Sequence, residues 1–281
     1  MSHPPFVHLH VHTQFSLLDG AIRLEDLFQK VAEYEMPAVS MTDHGNMFGA
    51  IDFYRKAREK EVKPIIGCEV YVAPGSRHDK SLSRGQSNHH LVLLAENYKG
   101  YQNLCALLTK AYFEGFYYKP RIDLELLAEH REGLIALSAC LHGEVAEAAR
   151  YGDVNRALAV TRQYQNILGA ENFFVEVQDA GIEEQRTVNE VFLEMGVKHG
   201  VPLVATNDCH YLNRGDSRVH DVLLCIQTGK TVKDDDRLKF STDELYFKSP
   251  EEMVEKFNRF PGAIENTLKI ADLDVLRAAG D

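Results

Sequence analysis

The fold of this chain is decided by its opening stretch, residues 6–20, which reads Phe-Val-His-Leu-His-Val-His-Thr-Gln-Phe-Ser-Leu-Leu-Asp-Gly. Three histidines, His8, His10 and His12, alternate with apolar residues, and strict alternation is typical of a β-strand with its polar side chains on one face. Imidazole is the commonest metal ligand among side chains. Asp19 follows in a turn-forming sequence. The stretch therefore predicts a strand whose imidazole face approaches a metal site.

Composition sets limits on the class of protein. The chain has 281 residues, 44% of them apolar, which suits one large domain or two small ones. Its net charge of −11 argues against a protein that coats DNA electrostatically, because sequence-independent duplex binding needs a basic face. Bound cations could offset the carboxylates of an acidic protein that acts on a phosphate ester. Five cysteines without a Cys-x-x-Cys pair favour reduced thiols. No targeting or membrane-spanning run is present, so we expect a cytoplasmic protein without a membrane partner.

Apolar strand-like runs alternate with amphipathic helical segments over about the first 210 residues. After the opening strand, the predicted strands cover residues 38–41, 63–72, 89–95, 133–139, 173–177 and 201–206. Alternating strands and helices predict parallel pairing with right-handed crossovers. Seven such units fit an α/β barrel slightly smaller than the eight-fold kind. We expect this barrel in residues 1–212 and a helical extension of the same domain in residues 213–281.

Groups that can bind a metal recur at the ends of the predicted strands, where the loops of a parallel barrel form the active site. With the opening stretch included, they are His10, His12, Asp19, His44, Glu69, His90, Cys140, Asp208 and His210. Each of these residues alone has a plausible structural explanation. Nine together exceed what one ion can use, and they predict two or three ions with bridging carboxylates. His90 departs from the pattern because it precedes its strand, so either that strand runs differently or its geometry is irregular.

Three further residues are candidates for other roles at the site. Asp43 lies beside one of the nine and is suited to orient an imidazole or to take a proton. Lys119 and Arg121 belong to an aromatic and basic loop, residues 116–123, and could hold a backbone phosphate while its tyrosines stack on a base. The same loop could equally pack on the barrel or on another domain.

Taken together, these motifs resemble those of the PHP family, the polymerase and histidinol phosphatase domains. The motifs that carry the resemblance are His8-Leu-His-Val-His12, Thr42-Asp-His-Gly-Asn46, Gly67-Cys-Glu69, Ser138-Ala-Cys140 and Asn207-Asp-Cys-His-Tyr211. The residues within these motifs are similar to those of the branch found at the N-terminus of bacterial DNA polymerase III alpha subunits. The resemblance extends to Met253 and so covers nearly the whole chain.

The resemblance implies a distorted (β/α)7 barrel with a trinuclear metal site at the nine positions. It further implies a metal-dependent phosphoesterase, with 3′–5′ exonucleolytic proofreading of a DNA 3′ end as the expected activity. Members with a degenerate site have lost several ligands and rely on a separate proofreading subunit. Asp19 and Cys140 stand where histidine is common in the small-molecule phosphatases of the family. Thiolate favours zinc, while carboxylate and imidazole also suit manganese, with iron as a further candidate.

Other functions remain open. One is a small-molecule phosphatase of the histidinol-phosphate type, and another is a non-catalytic scaffold in which metals stabilise a polymerase. An amidohydrolase barrel also opens with His-x-His, but the sequence has no clear counterpart of its bridging carboxylated lysine. Polymerases of the similar branch are several times longer, so we expect no polymerase catalytic centre in these 281 residues. If the chain is part of a longer one, the remaining polymerase domains and replisome subunits are its expected partners.

Overall fold

Seven strands form one mixed sheet in the computed structural model, which describes residues 3–81 and 87–272. The predicted barrel, residues 1–212, therefore has residues 1–2 and 82–86 outside the described part of the chain, and the predicted extension, residues 213–281, has residues 273–281 outside it. The strands are β1 (Ala38–Met41), β2 (Lys63–Val72), β3 (His89–Ala95), β4 (Arg121–Ile122), β5 (Leu134–Leu137), β6 (Phe173–Val177) and β7 (Leu203–Ala205). Their order in the sheet is β1-β2-β3-β5-β6-β7, and β4 pairs with β2.

The described helices cover the outside of the sheet and the chain that follows it. They are α1 (Leu24–Glu33), α2 (Ala50–Glu59), α3 (Tyr98–Phe113), α4 (Leu124–Glu129), α5 (Glu144–Ala149), α6 (Val154–Leu168), α7 (Glu183–His199), α8 (Ser217–Thr228), α9 (Pro250–Phe257) and α10 (Glu265–Asp272). Side-chain caps fix several helix starts. Asn97, Asp123 and Asp153 each accept a backbone N–H in the first turn of α3, α4 and α6. Ser249 and Glu252 form a capping box at α9.

The direction of β3 corrects the prediction of an all-parallel sheet. The pairs β1–β2, β2–β4, β5–β6 and β6–β7 are parallel, but β3 is antiparallel to both β2 and β5. The described residues between β2 and β3 form a loop rather than a helix, so the chain turns back instead of crossing over. The start of β3 therefore meets the carboxyl ends of the parallel strands. This explains why His90 precedes its strand, and it confirms the first of the two alternatives for that residue.

The opening stretch closes the sheet without forming a regular strand. On one flank, Ser40 N donates to His8 O at 3.0 Å. On the other, His12 N donates to Cys209 O at 2.8 Å and Cys209 N donates to His10 O at 3.1 Å. The stretch thus joins β1 to the segment that follows β7. The prediction of a distorted seven-stranded α/β barrel is confirmed. The seven strands differ from the predicted ones in one respect, because the short β4 is a strand and the opening stretch is not.

A one-residue shift explains why the opening stretch is irregular. Val7 and Leu9 pack in the apolar cluster inside the barrel, whereas Val11 packs in the outer cluster between sheet and helices. The alternation is therefore interrupted near His10. As a result the prediction that all three histidines share a face is wrong for His8, whose ring instead lies 4.1 Å from that of Phe247.

The residues after position 212 pack directly on the barrel. Ile270 and Ala271 of α10 join the inner apolar cluster, and Thr267 accepts a hydrogen bond from Val7 N at 3.3 Å. This helix therefore covers the end of the barrel opposite the polar strand ends. The division into residues 1–212 and 213–281 stays a prediction. Within residues 3–81 and 87–272, every helix is too short or too polar to cross a bilayer.

Candidate metal centre

The nine side chains predicted as metal ligands lie together at the edge of the sheet where the parallel strands end. Each has a nitrogen, oxygen or sulfur atom within 3.8 Å of another member of the set, the longest of these separations being that of Cys140. His44 follows β1, Glu69 is within β2, His90 is the second residue of β3, Cys140 follows β5, and Asp208 and His210 follow β7. The ligand from β3 lies near the start of the strand because β3 runs antiparallel to its neighbours.

Glu69 occupies the middle of the cluster. Its Oε1 lies 2.9 Å from His90 Nδ1 and 3.6 Å from His10 Nε2. Its Oε2 lies 2.6 Å from His44 Nδ1 and 3.6 Å from His12 Nε2. Burial alone would raise the pKa of Glu69, but His90 and His44 outweigh it and hold this pKa well below the usual range. The two carboxylate oxygens therefore face two different pairs of imidazoles as an anion.

Asp208 lies on the other side of His10 and His12. Its Oδ1 is 3.4 Å from His10 Nε2, 3.1 Å from His12 Nε2 and 3.5 Å from His210 Nδ1. Burial opposes ionisation of Asp208, but the charges of His10 and His210 hold its pKa below the usual range. Its φ of 49° lies in the left-handed region, where short polar side chains are tolerated best. The backbone thus adopts an unfavourable conformation to aim this carboxylate.

Asp19 forms the third acidic corner of the cluster. Its Oδ2 lies 3.2 Å from His44 Nε2, and its Oδ1 lies 3.6 Å from His210 Nε2 and 2.8 Å from His220 Nε2. Cys140 stands at the opposite edge, with its sulfur 3.8 Å from His90 Nδ1. Burial raises the pKa of the Cys140 thiol well above its usual range, so the sulfur becomes a thiolate only when a cation offsets the charge.

The charges of the site favour cations. Burial disfavours the charged form of His10, yet Glu176 and Asp208 outweigh it and raise its pKa to about 10. Burial also disfavours the charged form of His44, but Glu69 and Asp19 outweigh it and raise the pKa of His44 to about 10. At His12 burial prevails, helped by neighbouring imidazoles, and lowers the pKa to about 3. The carboxylates therefore create a field that favours positive charge, while His12 keeps a free lone pair.

The donor set fits divalent cations. His44 Nδ1, Glu69 Oε2 and Asp208 Oδ1 are buried and have no hydrogen-bonding partner among the described residues, although the first two lie close together. Four overlapping triads place their ligand atoms within 4.8 Å of one another. They are His12-His44-His210, His10-His12-Asp208, Asp19-His210-His220 and His44-Glu69-His90. Overlapping triads of imidazole and carboxylate are a donor set that suits divalent metal ions.

Two residues of the site escaped the sequence analysis. Glu176 accepts a hydrogen bond from His10 Nδ1 at 2.6 Å, and His220 reaches Asp19 from α8. A signal for Glu176 existed, because it is a lone carboxylate within the apolar run of β6, as Glu69 is within β2. No pattern distinguishes His220, which lies on a helix 201 positions from its partner.

Asp43 orients the ring of His12 through the hydroxyl of Ser16. Its Oδ1 accepts from Thr13 N and from Ser16 Oγ, both at 2.7 Å, and Ser16 Oγ lies 3.1 Å from His12 Nδ1. Burial raises the pKa of Asp43. Because the Ser16 hydroxyl donates to Asp43, it accepts from the Nδ1–H of His12, which turns Nε2 of that ring toward the centre.

The two residues predicted to contact a phosphate, Lys119 and Arg121, have different surroundings in the aromatic and basic loop. Arg121 is buried, and its guanidinium donates to the backbone carbonyls of Gly115, Arg77 and Asp79 at 2.9, 3.1 and 2.6 Å. In this position it holds the loop together. Lys119 Nζ instead lies over the ring of Tyr71, 5.3 Å from its centroid. Lys119 therefore remains the candidate for a phosphate contact.

Comparison with known proteins is consistent with this arrangement. DNA polymerase III subunit alpha of Treponema pallidum is 47% identical over 272 residues, which is 96% of this chain and 23% of that protein. The subunit from Thermus aquaticus is 51% identical over 252 residues, which is 88% of this chain and 21% of that protein. The chain spans about a fifth to a quarter of the length of the curated relatives it matches.

One solved structure that the comparison finds is a two-domain protein from Bacteroides vulgatus, described as containing a predicted PHP-like metal-dependent phosphoesterase. It is 12% identical with a TM-score of 0.41, and the match covers 92% of this chain and 66% of that one. The PHP domain family matches residues 8–180, a span that includes the opening stretch, Glu69 and Cys140. Since this match covers more than half of the sequence, the chain belongs to the PHP domain family.

Proposed function

We propose that this chain is a metal-dependent phosphoesterase that removes nucleotides from the 3′ end of DNA, within the alpha subunit of a replicative polymerase in the bacterial cytoplasm. The observation that carries the proposal is the convergence of nine ligand-competent side chains, in the middle of which the two oxygens of Glu69 face different imidazole pairs. The curated relatives named above favour DNA as the substrate. The other polymerase domains are the proposed partners that deliver the primer end.

Two or three divalent ions would be held by the nine residues, with zinc or manganese as the first candidates and iron as a further one. When bound, such ions lower the pKa of a water molecule and stabilise negative charge on phosphoryl oxygens. The task of the protein is to hold the ligands rigidly. Glu176 fixes the ring of His10, and Asp43 fixes that of His12 through Ser16. Burial of these contacts excludes competing water from the ligand framework.

The chain also offers a contact for the substrate beside the centre. Lys119 lies over Tyr71, and the Tyr71 ring is 5.2 Å from that of His90 and 6.3 Å from that of His44. A lysine in this place can act as a mobile point charge for a phosphate next to the cleaved bond. Slow turnover by the isolated chain is expected, because a chain of net charge −11 captures DNA poorly by itself.

The test is degradation of a 5′-labelled single-stranded DNA by the metal-loaded chain. We expect stepwise shortening from the 3′ end, loss of activity in chelator, and recovery with Mn²⁺ or Zn²⁺. Asp208→Asn should abolish the activity, since it removes the charge while asparagine tolerates the positive φ of this position. Asp52→Asn, an exposed position on α2, is the matched control and should remain active.

Each of the other outcomes contradicts the proposal in a different way. Equal nuclease activity in wild type and Asp208→Asn would point to a contaminating nuclease and refute the proposal. An inert response to DNA with hydrolysis of a small phosphomonoester would establish the small-molecule phosphatase. Full metal loading with no activity on either substrate, also when the other polymerase domains are present, would support the scaffold function.

A further inference from the structure

A cleft of about 680 Å³ lies beside the metal centre, between α8 and residues 239–244. We call it the α8 cleft and define it by six of its lining residues, Arg214, Arg218, His220, Lys239, Phe240 and Lys256. His220 belongs both to this lining and to the metal centre, where its Nε2 lies 2.8 Å from Asp19 Oδ1. The cleft therefore reaches the ligand cluster directly. Its volume is within the range of about 300–1,000 Å³ that holds small molecules or short segments of polymer.

The charges that line the α8 cleft differ from those of the chain as a whole. Arg214 pairs with Asp243 and Glu244, and Lys256 lies near Asp179 and Glu244. The remaining acidic residue of the lining, Asp221, is paired with Arg237. Each carboxylate of the lining thus has a cation.

Arg218 and Lys239 are the two lining cations left over. Both side chains are exposed, and neither has a carboxylate within ion-pair distance among residues 3–81 and 87–272. In a chain of net charge −11, two unpaired cations at the mouth of a cleft mark it as a place for an anion. Their flexible side chains suit phosphates whose positions vary, as those of a single strand do.

An aromatic side chain connects the cleft with the metal centre. Phe240 is 39% exposed, and its ring centroid lies 5.2 Å from that of His220 and 6.3 Å from that of His210. A nucleobase can stack on such a ring whatever its sequence.

The α8 cleft and the loop that carries Lys119 lie against different ligands of the centre. Tyr71, beneath Lys119, is next to His44 and His90, whereas Phe240 is next to His210 and His220. A phosphodiester at the ligand cluster would therefore have a candidate contact on each side. One side can take the nucleotide that is removed, and the other can take the strand that remains.

We infer that the α8 cleft binds the single-stranded polynucleotide adjoining the cleaved end, with Arg218 and Lys239 on backbone phosphates and Phe240 stacked on a base. This inference deepens the proposed function and rests on it for the identity of the substrate. In this assignment the cleft receives the part of the substrate that stays bound through successive cleavages.

The experiment measures binding of a short fluorescein-labelled oligothymidylate to the whole chain by fluorescence anisotropy, in chelator and over a series of salt concentrations. Arg218→Ala combined with Lys239→Ala should weaken binding. It should also reduce the slope of log K against log salt by about 1.4, since each phosphate contact to a single strand contributes about 0.7. Phe240→Leu should weaken binding roughly tenfold and leave the slope unchanged.

Arg55→Ala combined with Arg162→Ala is the matched control, because both arginines are exposed on helices outside the cleft and the change in charge is the same. This control should keep the wild-type slope. Circular dichroism checks that every variant is folded. The inference is overturned if the cleft variant binds as the wild type does, if the control loses as much affinity, or if the wild type does not bind at low salt. Because chelator prevents hydrolysis, a chain that binds through the cleft but never cleaves DNA would refute the proposed function alone.

Discussion

Nδ1 of His10 lies 2.6 Å from Oε1 of Glu176, and both side chains are fully buried. Gln178 also donates to this carboxylate oxygen at 3.0 Å, and Thr206 makes a further hydrogen bond to it. Glu176 is therefore held in place from several sides. Its hydrogen bond keeps the proton of His10 on Nδ1 and presents Nε2 to Glu69 and Asp208.

Glu176→Gln should lower metal affinity about 10- to 100-fold, the usual effect of removing a carboxylate behind a ligating histidine. Glutamine keeps a hydrogen-bond acceptor but loses the charge that favours a cation beyond the ring. Competition with a chromogenic chelator measures the change. Glu171→Gln, at an exposed position two residues before β6, should retain wild-type affinity. Unchanged affinity in Glu176→Gln would show that Glu176 has only a packing role.

Glu69 should bridge two ions, because its oxygens approach different imidazole pairs. Glu69→Gln is therefore expected to remove two ions per chain together, as measured by elemental analysis of protein purified without chelator. His90→Asn is the informative comparison, since His90 faces Oε1 alone and should cost one ion at most. Loss of a single ion from Glu69→Gln would contradict the bridging geometry.

The positions of the nine clustered residues could be predicted from sequence because strand ends converge in a barrel. The alternation of strands and helices gave the architecture, and polar residues at the ends of apolar runs then had to meet. That argument depends on strand direction, and His90, which departed from the pattern, reaches the cluster because β3 runs antiparallel to its neighbours.

What could not be predicted depends on contacts between distant parts of the chain. The shift near His10 arises because the opening stretch fits between β1 and the segment after β7, and alternation alone cannot reveal it. For Arg121 the sequence left a phosphate contact and packing of the loop equally open, and in the fold backbone carbonyls of the surrounding loop accept hydrogen bonds from its guanidinium. The reach of His220 to Asp19 depends on how α8 packs, which no local pattern encodes.

Gly20 should be intolerant of any side chain. A Cβ at this position would lie 2.0 Å from the backbone oxygen of Thr13, so the loop that carries Asp19 would have to move. Gly20→Ala should lower the free energy of unfolding by about 1–3 kcal/mol, the usual cost of overpacking. It should also reduce the gain in melting temperature when metal is added. Gly75→Ala has nothing within 4 Å and should change stability by less than about 0.5 kcal/mol. Equal effects at both positions would contradict the close approach.

Asp123 connects the start of α4 to the loop after β2. Its carboxylate accepts from Arg77 N at 2.8 Å, from Arg77 Nη1 at 3.0 Å and from Leu126 N at 3.0 Å, and the residue is buried. Asp123→Asn keeps a helix cap but loses the charge opposite Arg77. We expect the free energy of unfolding to fall by about 2 kcal/mol, less than the full cost of breaking a buried pair because Arg77 keeps Glu114 as a partner.

The stability that Asp123 contributes should depend on pH. Burial by itself raises the pKa of Asp123, but the hydrogen bonds from Arg77 and Leu126 together with the Arg77 charge outweigh it and hold this pKa below the usual range. A carboxylate with a lowered pKa stabilises the fold above its unfolded pKa of about 4, and this stabilisation is lost as pH falls through the folded pKa. Urea denaturation at several pH values should therefore give a difference between wild type and Asp123→Asn that is full near neutral pH and shrinks below about pH 4. A difference that stays constant into the acid range would mean that the Asp123 charge contributes nothing and that the cost of the substitution is steric.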